Sequence, residues 1–376
     1  VAGPLSRTLA PILVFLALAL PARAGENGGF EWRLPAGFPP PAVPAANPMS
    51  AAKVELGRHL FYDRRLSVTG EHACASCHRQ ELAFADGRAR ALGATGELHP
   101  RSASSLANTA YAATLGWDDP ALRRLERQAL VPIFNDRPVE LGLTGHWEEA
   151  LQALRADERY GELFPAAFPE ATGPLTLHHV TLALAAFERT LISGDSPFDR
   201  WLRRGEPLDP AARRGMKLFY SPRLACSECH RGFNFSGPVV CSGEPEPEAE
   251  SEAEAEFHNT GLYDLDGRGA YPEENSGLHR HTGRPADMGR FRAPTLRNVE
   301  LTEPYMHDGS VATLAEAIDL YARGGRTSSP LKSELLRGFE LSAEEKSDLL
   351  AFLHSLTDRG FVEDPRFADP WPASAE

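Results

Sequence analysis

Apolar positions recur at helical spacing in several separated stretches of the chain. Residues 176–192, TLHHVTLALAAFERTLI, place them three and four apart, with Thr176 positioned as an N-cap. Ser50 opens a similar run that continues through Phe61. Asp209-Pro210 supplies an N-cap and a first-turn proline for a helix to Tyr220. Thr313 with Glu316, and Ser342 with Glu345, form capping boxes for helices that stop at Gly324 and near Leu356. Alternating runs of the kind that make half-buried strands are scarce, so the pattern predicts a mainly α fold. One apolar run is different. Residues 9–20 follow Arg7 and lead into Pro21-Ala22-Arg23-Ala24, and they are too few to span a bilayer. This stretch, residues 1–24, reads as a secretory signal peptide cleaved near Ala24. The expected product is an exported, periplasmic protein with no membrane insertion after cleavage.

The pattern also repeats. Residues 57–66 read GRHLFYDRRL and residues 215–224 read GMKLFYSPRL. Each copy runs into Cys-x-x-Cys-His: Cys74, Cys77 and His78, then Cys226, Cys229 and His230. That signature attaches c-type haem, because the two thiols add across the vinyl groups and the adjacent histidine reaches the iron. Two covalently bound haem c groups are therefore expected, with His78 and His230 as iron ligands. The fifth cysteine, Cys241, is left over and has no assigned role. The repeat predicts two cytochrome c-like haem domains with long connecting loops. They are residues 25–205 and 206–376, divided within SGDSPFDRWLRRGEPLDP. Residues 25–48 are rich in glycine and proline and read as an extended lead segment. Residues 243–257 carry EPEPEAESEAEAE, which cannot bury apolar area and is expected to be a disordered acidic loop.

A hydrophobic content of 42% is enough for packed cores, and a net charge of −13 disfavours nucleic acid and anionic lipid as partners. A protein with a basic docking face is a better match, although simple solvation of the surface explains the charge more readily. What a haem does depends on the face opposite its histidine. Two closed faces make an electron carrier, whereas one open face makes a peroxide or oxygen site. Splitting a peroxide O–O bond needs a group that moves a proton from one oxygen to the other. Between the motifs lies WDDPALRRLERQALVPIFNDRPVELG, which offers Trp117, Gln128 and Glu140.

From about residue 47 to residue 371 the chain resembles the bacterial di-haem cytochrome c peroxidase and MauG superfamily. The matching stretches are LGRHLFYDRRLS, QALVPIFNDRPVELG, FHNTGLYDLDGRGAYP, GRFRAPTLRNVELTEPYMHDGSVATLAEAI and DPRFADPW. The RAPTLRN…PYMHDG block is common to that superfamily. PVELG, HNTGLY and NPMSAAKVELGRHLFYD resemble the MbnH branch, whose members convert a tryptophan of a copper-binding, MbnP-type partner to kynurenine. The resemblance implies that the His78 haem carries the open peroxide site and that Trp117 lies between the haems. It implies Gln128, Pro132 and Glu140 as distal residues, although Glu140 stands two positions later after Gln128 than usual. Thr302 and Pro304 match backbone ligands of a calcium between the haems, and Ser102 stands where relatives place an asparagine.

The sixth ligand of the second haem decides between subfamilies. In the cytochrome peroxidases it is a methionine fourteen residues after the PYxH histidine. Counting from His307 reaches Tyr321, the MauG-like choice, with Met288, Met306 and His307 as nearby rivals. A tyrosinate oxygen is hard and anionic, so it favours Fe(III) and higher states over Fe(II). The implied function is a peroxide-dependent oxidoreductase that reaches a state with both irons as Fe(IV). It would then oxidise a tryptophan of an exported partner at long range. The alternatives are a cytochrome c peroxidase that reduces hydrogen peroxide with electrons from a small redox protein, and a non-enzymatic di-haem carrier.

Overall fold

The computed structural model describes residues 30–243 and 257–371. The expected signal peptide and the acidic stretch at 244–256 lie outside the described residues. All five helices read from the pattern form: Ala51–Tyr62, Leu177–Glu188, Pro210–Phe219, Leu314–Ala322 and Ala343–His354. Each starts where its cap is written. The side chains of Ser50, Thr176, Asp209, Thr313 and Ser342 accept from backbone N–H groups of their own first turns. The 176–192 stretch leaves the helix at Glu188, where the chain tightens through bonds from Thr190 N–H to Phe187 and from Leu191 N–H to Glu188. Among the described residues, three further helices of eight or more residues appear, at Trp147–Arg155, Glu158–Ala167 and Pro197–Arg204. Among the described residues the one sheet is an antiparallel pair, β1 (Phe257–Asn259) and β2 (Arg290–Arg292), with His258 opposite Phe291. The molecule is mainly helical, as expected. No helix among the described residues is long and apolar enough to cross a membrane.

The repeated GxxLFY lead-in has a packing purpose. A Cβ on Gly57 would lie 1.9 Å from the Ala183 carbonyl oxygen, and one on Gly215 would lie 1.9 Å from that of Asp348. Each glycine thus lets its helix touch the backbone of a second helix. The first pair anchors a core containing Leu56, Leu60, Phe61, Val180, Leu184 and Phe187. The second pair anchors a core containing Phe219, Leu349, Phe352 and Leu353. The chain then crosses between cores. Phe198 packs into the second, while Phe361, Phe367 and Trp371 return to the first. Cys241 is buried beside Phe38 and Tyr111 in a small satellite cluster.

Candidate functional site

The first Cys-x-x-Cys-His forms a single helical turn, Cys74–Cys77, whose start is fixed by Ala73 N–H donating to Ser76 Oγ at 3.0 Å. His78 follows, its N–H bonded to the Cys74 carbonyl at 3.0 Å. Its ring Nδ1 donates to the Phe84 carbonyl at 2.8 Å. That fixes the tautomer and leaves the Nε2 lone pair to face a metal. The acceptor is presented by a tight turn in which Ala83 and Phe84 both have positive φ, 52° and 62°. Burial holds His78 below the ordinary imidazole pKa, so it is neutral and able to ligate.

The second motif repeats this arrangement in a 3₁₀ turn, Cys226–Glu228. His230 N–H bonds to the Cys226 carbonyl at 3.1 Å, and its Nδ1 donates to the carbonyls of Pro294 (3.0 Å) and Phe235 (3.3 Å). Phe235 again has positive φ, 48°. Burial pushes His230 down to about 4. Burial also pushes the Cys77 thiol up to about 11 and that of Cys226 up to about 12.

Cys226, Cys229 and His230 line a cavity of about 460 Å³ that also presents Tyr321, from the last turn of Leu314–Ala322. The pocket is mostly apolar, with the thiols, the imidazoles of His230, His258 and His307 and a phenol on its wall, and these residues fit a covalently held haem. Burial, then the thiols of Cys229 and Cys226, hold the Tyr321 phenol above its ordinary pKa. It keeps its proton unless a cation takes the oxygen as a ligand. Met306 and His307 line the same cavity, while Met288 packs against the second core. The charged neighbours separate the two main rivals. Tyr321 senses the thiols, whereas His307 senses Asp308, Arg101 and Asp118 and stacks on Phe291 at 3.6 Å.

Trp117 is half-buried in the wall of this cavity, and its Nε1 donates to the Ser102 carbonyl at 3.0 Å. Gln128 ends the Leu125–Gln128 turn, and Pro132 sits within Leu130–Phe134. The chain between Pro132 and Glu140 folds back on itself. Leu141 N–H returns to the Pro132 carbonyl at 2.8 Å and Leu143 N–H to Ile133 at 2.9 Å, so residues 135–140 form a closed loop. Glu140 therefore comes back beside Pro132, where Asn135 Nδ2 donates to its Oε1 at 2.9 Å. Its charge is felt by both Cys74 and Cys77, which puts it on the side of the first motif. Burial raises the Glu140 pKa, opposed by Asn135 and by Arg101.

Ser102, Thr302 and Pro304 also line the cavity. They offer only neutral oxygens, and the Ser102 carbonyl already accepts from Trp117. Among the described residues no group of three or more histidine, cysteine, aspartate or glutamate side chains could hold a metal. Calcium takes six to eight oxygens, so these three would supply at most part of its shell.

Sequence reasoning missed two features here. Glu188, at the end of its helix, is buried with Oε2 unbonded and lies close enough to Cys74 to affect its thiol. Ser105-Leu106-Ala107-Asn108 and Thr295-Leu296-Arg297-Asn298 form a second internal repeat. Asn108 and Asn298 are both fully buried with φ near 60° (62° and 60°), and each precedes a 3₁₀ turn. The shared Leu-x-Asn was the available signal.

Residues 51–207 match the family model for di-haem cytochrome c peroxidase. A crystal structure of a MauG-like protein associated with microbial copper homeostasis is 47% identical, with a TM-score of 0.87, over 91% of this chain and 100% of that one. The methylamine utilization protein MauG of Methylorubrum extorquens is 36% identical over 317 residues, 83% of this chain and 80% of its own. Cytochrome-c peroxidase IdrP1 of Denitromonas iodatirespirans is 33% identical over 372 residues, 94% and 96% respectively.

Proposed function

Because the chain belongs to the di-haem cytochrome c peroxidase and MauG family, it is a peroxide-dependent di-haem oxidoreductase, and we propose that it oxidises a tryptophan of an exported, copper-binding partner to kynurenine. Cys74 and Cys77, and Cys226 and Cys229, would each hold a haem c, and the two haems would supply peroxide binding and storage of two oxidising equivalents. The remaining work falls to side chains. His78 and His230 are held as neutral ligands by carbonyls on Nδ1. Glu140 is the group assigned to the mobile proton, and burial holds its carboxyl above the ordinary carboxylate pKa. Asn135 orients that carboxyl, and Gln128 and Pro132 shape the face beside it. Trp117 bridges toward the second site from the cavity wall.

The observation that carries this reading is Tyr321 on the wall shared with His230, Cys226 and Cys229. A phenolate ligand favours oxidised iron, which suits shared storage over relay of electrons from a reduced cytochrome. The copper-linked partner follows from the 47% identical MauG-like relative, which is itself associated with copper homeostasis. A protein substrate cannot enter a 460 Å³ cavity, so it docks and is oxidised at a distance. Export to the periplasm brings enzyme and partner together.

The test is rapid mixing of the fully ferric holoprotein with stoichiometric peroxide and no reductant. Wild type should react directly and give a long-lived oxidised spectrum, and Tyr321→Met should react only after one haem is reduced. If wild type itself needs prior reduction, it is a cytochrome c peroxidase fed by a small redox protein.

A further inference from the structure

The two histidines share more than their motif. In each half, two separate backbone segments approach the ring. His230 Nδ1 meets the carbonyls of Phe235 and Pro294, while His78 Nδ1 bonds to the Phe84 carbonyl and feels the Ser104 backbone nearby. The residues that follow Ser104 and Pro294 are Ser105 and Thr295. Ser105 Oγ donates to the Ala83 carbonyl at 2.6 Å, and Thr295 Oγ1 donates to the Asn234 carbonyl at 2.6 Å. Ala83 and Asn234 are the residues just before Phe84 and Phe235. One hydroxyl therefore ties together the two carbonyl-bearing segments in each half. It also accepts a backbone N–H two residues on, from Ala107 at 3.1 Å and from Arg297 at 3.1 Å. That second bond leaves its proton directed at the turn.

We propose that Ser105 and Thr295 are paired positioning residues, each clamping the carbonyls that hold the proximal imidazole of its own half. The proposal rests on His78 and His230 being the iron ligands. Donation from Nδ1 makes Nε2 a stronger base and stabilises the oxidised metal. Without the hydroxyl, the turn carrying Phe84 keeps its own backbone bonds, from Ala83 N–H to Gln80 and from Phe84 N–H to Arg79, and loses its tie to the second segment. Ala83 and Phe84 adopt left-handed φ, which non-glycine residues reach at a cost, so the freed turn relaxes away from the ring. The clamp needs a hydroxyl, and the two halves use serine and threonine for it interchangeably.

The experiment uses the holoprotein carrying both haems. Resonance Raman of the reduced protein reads the iron–histidine stretch, and a redox titration reads each haem separately. Ser105→Ala should lower the iron–histidine frequency. It should also raise the first haem's potential by a shift of roughly tenfold in the Fe(III)/Fe(II) ratio, about 59 mV, with the second haem unmoved. Thr295→Val should shift the second haem's potential and leave the first alone. Ser105→Thr should behave as wild type. A wild-type band that Ser105→Ala leaves unmoved would overturn the clamp alone, as would one variant shifting both haems equally. A band that persists unchanged in His78→Gly would overturn the ligand assignment along with it.

Discussion

Glu188 is a carboxylate that the fold buries without fully satisfying. The residue is 6% exposed, its Oε2 has no hydrogen-bond partner, and desolvation lifts its pKa from 4.5 to about 8 despite Arg189 beside it. The direction of the consequence follows from linkage. The folded state binds the proton more tightly than the unfolded chain, so stability is full below about pH 4.5 and is lost as pH rises toward about 8. One such group changes stability by at most about 1.4 kcal/mol per pH unit in that window. Glu188→Gln should match wild type near pH 5 and be more stable near pH 8, as guanidinium unfolding midpoints of the holoprotein would show. Equal pH dependence in both proteins would remove Glu188 from the account. No local pattern marks this residue, because AFERTL reads as an ordinary helix end. Its character comes from burial next to Cys74, which only the fold supplies. Cys74, Cys77 and His78 were legible for the opposite reason, since their chemistry is written in adjacent letters.

Helices were legible where a cap stood before an apolar period. Trp147–Arg155 escaped because His146 gives it no side-chain cap, and Glu158–Ala167 because Gly161 and Pro165 interrupt its reading. Pro197–Arg204 has a full capping box from Ser196 and Asp199, but it lies in a charged, proline-bearing stretch that reads as a boundary. The repeated glycines were visible as letters without a reason, and the helix crossings provide one. Adding a methyl at Gly57 or Gly215 forces a helix pair apart against a carbonyl 1.9 Å away. Gly57→Ala and Gly215→Ala should each cost about 1–3 kcal/mol, outweighing the gain in helix propensity. Gly161→Ala meets nothing within 4 Å and should stabilise by about 0.5–1 kcal/mol. Thermal or denaturant unfolding of the three variants checks this, and a neutral Gly57→Ala would mean that the helices can part freely.

The two halves act together only if the junction between them is stiff, and the junction is built from groups far apart in sequence. Asp358 Oδ2 accepts Gly194 N–H and Asp195 N–H, both at 2.9 Å, and Ser193 Oγ at 3.3 Å. Asp358 N–H donates to Asn298 Oδ1 at 2.8 Å, and Asn298 Nδ2 reaches Ser193 Oγ at 3.0 Å. Asn108, from the first half, brackets Ser193 through both its N–H and its carbonyl, each at 2.9 Å. The Ser105 and Thr295 repeat that leads into these asparagines leaves only a faint trace in the sequence. It starts twenty-seven residues after His78 but sixty-five after His230, and it keeps only Leu-x-Asn in common. Such a network is selected by where backbone groups end up, so no periodicity announces it. Asp358→Ala leaves buried N–H groups without an acceptor, at about 1–3 kcal/mol for each group stranded. Because Asn298 shares those partners, Asp358→Ala and Asn298→Ala should be non-additive by about 0.5–3 kcal/mol, whereas Asp358→Ala and Gly161→Ala should add. Unfolding measured for the four proteins of each cycle decides it. Additivity in both cycles would mean that the halves are joined by packing alone, and that a rigid path between the two sites must be sought along Trp117 and Ser102 instead.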